Sequence, residues 1–335
     1  MNIFFVESPL QLLSAQEFAD NKKEPNLLFI RYGSNARVSN RIQINNSLDK
    51  RVWDKIHHLP TINSKLWEFI YYLVLSLYLR IKYCFKERQC LVGEFRNLNY
   101  ILLSIISTKK LILLDDGAIS IALQMKYFRF NIDYSKYFTA KKNKIKIKIF
   151  ELVHGKKLEK KVPDLYSMFC FEGNMEKNQR NHRITPKLKQ MKYCDEVVFF
   201  GSKYSESKII TLSDELLLLE GVYKFFHSQH PEKKVKYVKH RDEIETKLNL
   251  ISKIGFEVVG FNVPAEIYYR ENCSIPLIIS GFYTTALYSI YSSYEIRCAY
   301  SFDLSKYILN KEIKDNTRLI YEYFKSTGMS IVHLS

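Results

Sequence analysis

Short apolar runs alternate with helix-length segments along the first third of the chain. The run at 2–6 (NIFFV) leads into the amphipathic stretch LQLLSAQEFA, and further apolar runs follow at 27–30, 90–92 and 111–114. Between them lie a long apolar segment at 64–83 and a helix-spaced stretch at 98–107. Short strands alternating with helices predict a parallel sheet covered on both faces.

From 128 to 190 this rhythm loosens. The stretch at 141–150, KKNKIKIKIF, alternates Lys with Ile toward its end, the period-two signature of a half-exposed strand with a cationic face. It reads either as an edge strand that lysine protects against pairing or as a surface facing a membrane or an acceptor. The Asn-, Lys- and Arg-rich stretch at 174–192 reads as a linker. Alternation restarts at 197–200 and continues through a helix from 213 to 227, with Ser213 as its cap and acids in its first turn. A strand at 235–238, a helix at 243–253, strands at 257–259 and 277–279, a helix at 285–291 and a terminal helix at 316–325 complete the pattern. The fold class expected is α/β, with two Rossmann-like halves in tandem.

Length agrees with that division, because 335 residues exceed what one core accommodates. The net charge of +16 favours polyanionic partners: nucleic acid, anionic lipid surfaces, or acidic saccharides and sugar nucleotides. Six cysteines without a CxxC pair or zinc-ligand spacing fit a reducing cytosol. The N-terminus lacks a basic leader region and a small-residue cleavage site, so it reads as a first strand and the expected location is cytoplasmic. Within 66–83 the uncharged run spans only 11 residues, too short for the roughly 20 that a bilayer requires.

Ligands of open parallel sheets bind beyond the carboxyl ends of strands. Four polar clusters sit at such ends here. Asp115-Asp116-Gly117 closes the run at 111–114. Adjacent acids on extended backbone face opposite ways, so one is expected in the cleft, as a general base, and the other as the cap of the next helix. Lys239-His240-Arg241 offers an imidazole between two permanent cations, suited to a phosphate. Ser280, Thr284 and Thr285 stand between a strand and a helix start, where hydroxyls and backbone amides hold anions or simply cap the helix. Glu266 follows a short strand and is placed to accept from a ribose or base. No GxxxxGK[ST], GxGxxG or GxSxG motif occurs, which argues against P-loop, classical dinucleotide and α/β-hydrolase readings.

Taken in order, Asp115-Asp116-Gly117, His240-Arg241 and Thr284-Thr285 resemble the three motifs of the bacterial sialyltransferase superfamily, the lipooligosaccharide sialyltransferases and capsular polysialyltransferases. The stretches VESPLQLLSA, VVFFGS, YVKHRDE, FNVPAE and SGFYTTALYS carry the same resemblance. Arg241 stands where the family has proline, the literal His230-Pro231 precedes its strand, and Thr-Thr replaces Ser-Ser.

The resemblance implies a GT-B fold, two Rossmann-like domains facing a central cleft. Its domains would be 1–190 on the acceptor side, 191–315 for the donor, and a C-terminal helix, 316–335, packing back on the first. It implies a metal-independent, inverting transfer of a sialic acid or related nonulosonic acid from a CMP-sugar to a lipooligosaccharide or capsular acceptor. In that reading Asp116 is the base, with Asp115 beside it and Glu206 as a rival. His240 acts on the leaving phosphate. Lys239, Arg241, Ser280, Thr284 and Thr285 cradle the phosphate, while Glu266 and the Gly201-Ser202 turn lie around the cytidine. Ser8 and Gln11 face the acceptor. No cofactor or metal is required. Kdo, legionaminic and pseudaminic acids are alternative donor sugars. An acidic or lipid-linked glycan and the inner membrane face are the expected partners, the basic surface drawing both. A non-catalytic membrane-binding or nucleic-acid-binding protein is the alternative class; dispersed charge and missing nucleic-acid motifs argue against the latter.

Overall fold

The first five-residue run forms β1 (Asn2–Val6), buried along its whole length. A computed structural model describes residues 1–21, 24–32, 38–93, 97–109, 111–129, 141–158, 163–169, 178–180 and 192–334. The chain divides into two compact units, one of Met1–Asp116 with Leu123–His182, the other of Gly117–Ala122 with Arg183–Ser335.

In the first unit, β1 is followed by α1 (Pro9–Asp20), β2 (Asn26–Ile30), α2 (Val38–Ser47), β3 (Lys55–His58) and α3 (Lys65–Lys82). Then come β4 (Gln89–Val92), α4 (Leu98–Leu103), β5 (Leu111–Leu114), α6 (Lys141–His154), β6 (Asp164–Ser167) and β7 (Asn178–Arg180); between β5 and α6 the chain forms α5 (Ile119–Leu123), which belongs to the second unit but for its last residue. Its sheet has the order β3-β2-β1-β4-β5-β6-β7, and every pairing is parallel. Because both faces are covered, the central strands read as unbroken apolar runs. Phe4 packs edge-on against Phe18 and Trp53, at 5.9 and 5.0 Å between centroids, under α1.

The second unit runs β8 (Lys192–Phe200), α7 (Leu212–Gln229), β9 (Val235–Val238), α8 (Glu245–Ile254) and β10 (Glu257–Val259). It continues through α9 (Ala265–Asn272), β11 (Ser274–Gly281), α10 (Thr285–Ser293), β12 (Cys298–Phe302), α11 (Lys311–Ser326) and β13 (Ser330–Val332). Its strands order β10-β9-β8-β11-β12-β13, again all parallel. Phe199 on β8 stacks on Tyr237 and meets Phe282 edge-on, at 5.6 and 5.2 Å, in the centre of the core. In each unit the first strand, β1 or β8, lies third in the order, and the order reverses beside it. The loops after the central strands therefore gather at one edge of each sheet.

Several expectations are corrected. The KKNKIKIKIF segment is helical, as part of α6. Phe150 and His154, four residues apart, are buried on one side, and lysine and leucine favour the helix. The Lys-Ile alternation left no partner strand to demand an extended chain. The stretch at 174–192 is not all linker: β7 occupies 178–180 and β8 opens at 192, while 174–177 and 181–191 lie outside the described residues. The cap of α7 is Thr211, whose hydroxyl accepts from Asp214 N, and not Ser213. Strands β3, β6, β12 and β13 were not anticipated; β3 carries Lys and His at exposed positions, which hides its periodicity.

Candidate functional site

In the first unit, the chemistry collects where β1, β4 and β5 end. Ser8 caps α1 by accepting from Gln11 N at 3.3 Å, which fixes the first turn and aims Gln11 back over the sheet edge. Gln11 is buried. Its Oε1 accepts from Glu7 N at 2.7 Å and its Nε2 donates to Asp116 Oδ1 at 2.8 Å. Gly93, after β4, makes room for it: a Cβ there would lie 2.5 Å from Gln11 Oε1 and 2.8 Å from Gln11 Cβ. Asp116 is thus a half-buried carboxylate held in place by a neutral amide.

Asp115 points the other way and does not cap the following helix. It is buried, its Oδ1 accepting from Ser167 Oγ at 2.6 Å and its Oδ2 from Met168 N at 2.7 Å, so it ties β5 to the exit of β6. Alternation along the extended backbone separates the two acids as expected; the anchor it finds is the neighbouring strand.

Sequence reasoning missed a second group on this edge. Glu7 takes hydrogen bonds from Arg31 at 3.2 Å and Asn97 at 2.8 Å, and Arg31 also pairs with Glu68 at 3.0 Å. Burial would depress the Arg31 guanidinium, but Glu7 and the neighbouring tyrosines outweigh it and keep it above its ordinary value. The signal available was positional: Glu7 and Arg31 each directly follow a buried strand.

In the second unit, Gly201 after β8 sits against Tyr237, whose ring would meet a Cβ at 2.4–2.5 Å. Tyr237 OH donates to Glu243 Oε1 at 2.6 Å, and His240 N donates to Glu243 Oε2. His240 Nδ1 accepts from Asp242 N at 3.1 Å, which leaves the ring proton of the neutral imidazole on Nε2. Asp242 pairs with Lys203 at 2.8 Å. Lys239 reaches Glu245 at 3.1 Å on the surface.

Beneath this turn lies a buried cluster that the sequence did not reveal. Lys247, 1% exposed, lies 3.0 Å from Glu206, 2.8 Å from Glu215 and 2.9 Å from Glu243, and donates to Ser202 O at 2.9 Å. Burial pushes the Glu243 carboxyl up to about 7, with Lys247 and Tyr237 opposing it. Burial would pull the Lys247 ammonium down, but Glu243 and Glu215 outweigh it and hold it above the usual lysine value. Glu206, the rival base, is therefore an anchor: Oε2 accepts from Lys247 and Oε1 from Ile244 N at 3.2 Å. The cluster splints the Gly201-Ser202 turn to the His240 turn.

Glu266 is buried in the first turn of α9 and accepts from Ser289 Oγ on α10. Burial raises its carboxyl above the ordinary range, partly offset by Ser289 and by the charge of Arg241. Ser280 does not reach an edge: wholly buried in β11, it donates to Val198 O at 3.0 Å and ties two strands together. Thr284 caps α10, accepting from Leu287 N at 3.2 Å. Thr285 Oγ1 accepts from Ala118 N at 2.7 Å, and Gly117, at φ +77°, leaves only 2.8 Å between that oxygen and a Cβ. Within the second unit, Thr285 thus holds the turn at Gly117-Ala118.

The hydroxyl of Thr285 is the whole of this contact. Thr285→Val is expected to destabilise the fold by about 1–3 kcal/mol in denaturant unfolding, because a buried amide loses its acceptor, while Thr285→Ser stays near wild type. Equal behaviour of the two variants would contradict that role. Among the described residues, no group of three or more His, Cys, Asp or Glu side chains is placed to hold a metal ion.

No protein-family model matches the chain, and no curated protein matches it in sequence. Solved structures do match in shape. The GT-B domain of a sialyltransferase from Photobacterium damselae superposes over 100% of both chains, with 10% identity and a TM-score of 0.50. The fold is GT-B. An alpha/beta-galactoside alpha-2,3-sialyltransferase from Photobacterium phosphoreum matches over 98% of both chains, at 10% identity and a TM-score of 0.49. MurG from Acinetobacter baumannii matches over 99% of this chain and 85% of its own, at 8% identity and a TM-score of 0.45. Within the GT-B fold, the two parallel sheets are the two Rossmann-like halves expected from the sequence, and Asp115-Asp116 and Lys239-His240-Arg241 follow strands β5 and β9.

Proposed function

We propose that this chain is an inverting glycosyltransferase that moves a sialic acid or related nonulosonic acid from a CMP-sugar to a cell-surface glycan. The observation that carries the reading is the chain-long likeness to the GT-B domain of a sialyltransferase; Asp116, His240 and Thr284-Thr285, which follow β5, β9 and β11 in the order of the sequence motifs, support it.

The chemistry follows from the residues. A CMP-linked sugar already carries a good leaving group, so the enzyme supplies a base, a phosphate site and exclusion of water. Asp116, fixed by Gln11, takes the proton of the acceptor hydroxyl. His240, with its proton on Nε2, donates to the departing phosphate, and Lys239 and Arg241 on either side favour its charge. The backbone amides at the start of α10, capped by Thr284, add a dipole that favours an anion. Asp116, His240 and Thr284 are each already hydrogen-bonded at an atom that sets orientation, so these three need little reorganisation for transfer. No step calls on a metal.

Release of CMP from CMP-sialic acid, followed by phosphorus NMR with and without a glycan acceptor, tests the reading. Acceptor-dependent CMP release supports it. No turnover of CMP-sialic, CMP-Kdo, CMP-legionaminic or CMP-pseudaminic acid would overturn it.

A further inference from the structure

The outward face of α3 is apolar from end to end, although the helix lies on the surface. Its buried side carries Phe69, Tyr72, Ser76 and Leu79. The opposite side presents Trp67, Val74, Tyr78 and Ile81, at 64%, 59%, 50% and 72% exposure. These positions recur at helical spacing, with Ile70, Tyr71 and Leu77 between them and no charged residue on the stripe. Phe85 extends the row beyond the helix, fully exposed. A surface helix ordinarily turns such a stripe to the core; α3 turns one to each side.

Helix α6 packs beside it within the same unit. Phe150 meets Phe69 at 5.6 Å between ring centroids, and His154 Nε2 lies 2.8 Å from Ser76 Oγ. Its exposed side sets Ile145 and Leu152, at 69% and 83% exposure, among Lys144 and Lys148. Lys82 and Lys86 stand at the C-terminal end of the stripe of α3, with Lys82 Nζ 4.8 Å from the centre of the Tyr78 ring. The acids nearby are engaged: Glu68 with Arg31 at 3.0 Å, Glu151 with Leu158 N at 3.0 Å, and Glu87 with Lys109 at 3.0 Å. No described helix is long and apolar enough to cross a membrane.

We infer that the α3–α6 face docks on the surface of an anionic lipid bilayer, with the α3 stripe sunk into the headgroup boundary and the lysines against lipid phosphates. Charge complementarity selects this occupant. A protein partner or a second copy would cover the apolar stripe, but a flanking set of lysines, with Glu68, Glu87 and Glu151 among the described residues already engaged, is suited to a negative, two-dimensional surface. Trp67 and Tyr78 are the amphipathic side chains that settle at such a boundary.

The chain contains its own reporter. Of its two tryptophans, Trp53 is buried at 7% exposure and Trp67 is open, so a change in emission on adding vesicles reports the proposed face. With the full chain, vesicles of phosphatidylcholine containing about one-third phosphatidylglycerol are expected to blue-shift Trp67 and shield it from acrylamide, while pure phosphatidylcholine does so weakly. Val74→Glu with Ile81→Glu is expected to lower partitioning by at least about tenfold, and each of Lys144→Glu and Lys148→Glu by roughly fivefold. Absence of a shift with anionic vesicles, or binding unchanged in both sets of variants, would overturn the inference. So would a concentration-dependent dimer, seen by sedimentation, that buries Trp67 without lipid.

Discussion

Lys247→Met is expected to destabilise the second unit by about 3–5 kcal/mol. The substitution keeps the length and apolar body of the side chain, so packing changes little. What it removes is the cation that, among the described residues, pairs with Glu206, Glu215 and Glu243, two of which are at most 1% exposed. Three carboxylates would then stand together with hydrogen bonds from Tyr237, His240 N, Ile244 N and Ser205 N but without that counter-charge. The pH dependence distinguishes this from a packing defect. Protonation relieves the repulsion, so the loss should be greatest at about pH 8 and smaller at about pH 5 in denaturant unfolding. A pH-independent loss would contradict the electrostatic explanation.

The wild-type protein carries a related signature. Glu243 is raised from 4.5 to about 7 in the folded chain, so the folded state holds its proton more tightly than the unfolded state does. Its stabilising contribution is complete below the unfolded value and is lost as pH rises through about 7. Glu243→Gln is expected to flatten stability across that interval; a slope unchanged by the substitution would assign the dependence to another group.

Asp116→Asn is expected to lower kcat for sugar transfer by about 10²- to 10⁴-fold while leaving CMP binding unchanged. Asparagine preserves the size and still accepts from Gln11, but it cannot take a proton. Asp116 differs in its surroundings from the two other acids that could rival it, the adjacent Asp115 and Glu206. Asp115 is buried and takes hydrogen bonds from Ser167 and Met168, and Glu206 is locked to Lys247 and Ile244. Substituting either rival should therefore reduce stability before it reduces kcat at a given folded fraction. A fully active Asp116→Asn enzyme would remove Asp116 from the reaction.

Much of the architecture was legible because parallel strands covered on both faces announce themselves as continuous apolar runs, as at 2–6, 111–114 and 197–200. The missed strands include the edges β3 and β13, where that signal vanishes, and also the interior strands β6 and β12, whose runs contain Asp164, Ser167 and Ser301. β3 mixes Lys and His, and α6 mimics a strand by alternating Lys and Ile. Cluster positions at strand ends were legible from residue type, but their division of labour was not. That Asp115 anchors a neighbouring strand and Asp116 meets Gln11 depends on β6 and α1 lying beside β5, a long-range fact. Ser280 was misplaced because a serine one residue from a strand end looks the same whether its hydroxyl faces a ligand or the next strand's carbonyl. The Lys247 cluster was invisible for a simpler reason. Its three acids are separated in sequence by as many as 37 residues, from Glu206 to Glu243, and only folding makes them a group.

Calorimetric titration of CMP, CDP, UDP and GDP into the wild-type protein and His240→Ala tests the proposed donor class most directly. Selective binding of CMP, weakened in the variant, is the expected result and places the phosphate at the His240 turn. Equal binding across the four nucleotides, or none, would contradict the CMP-sugar reading.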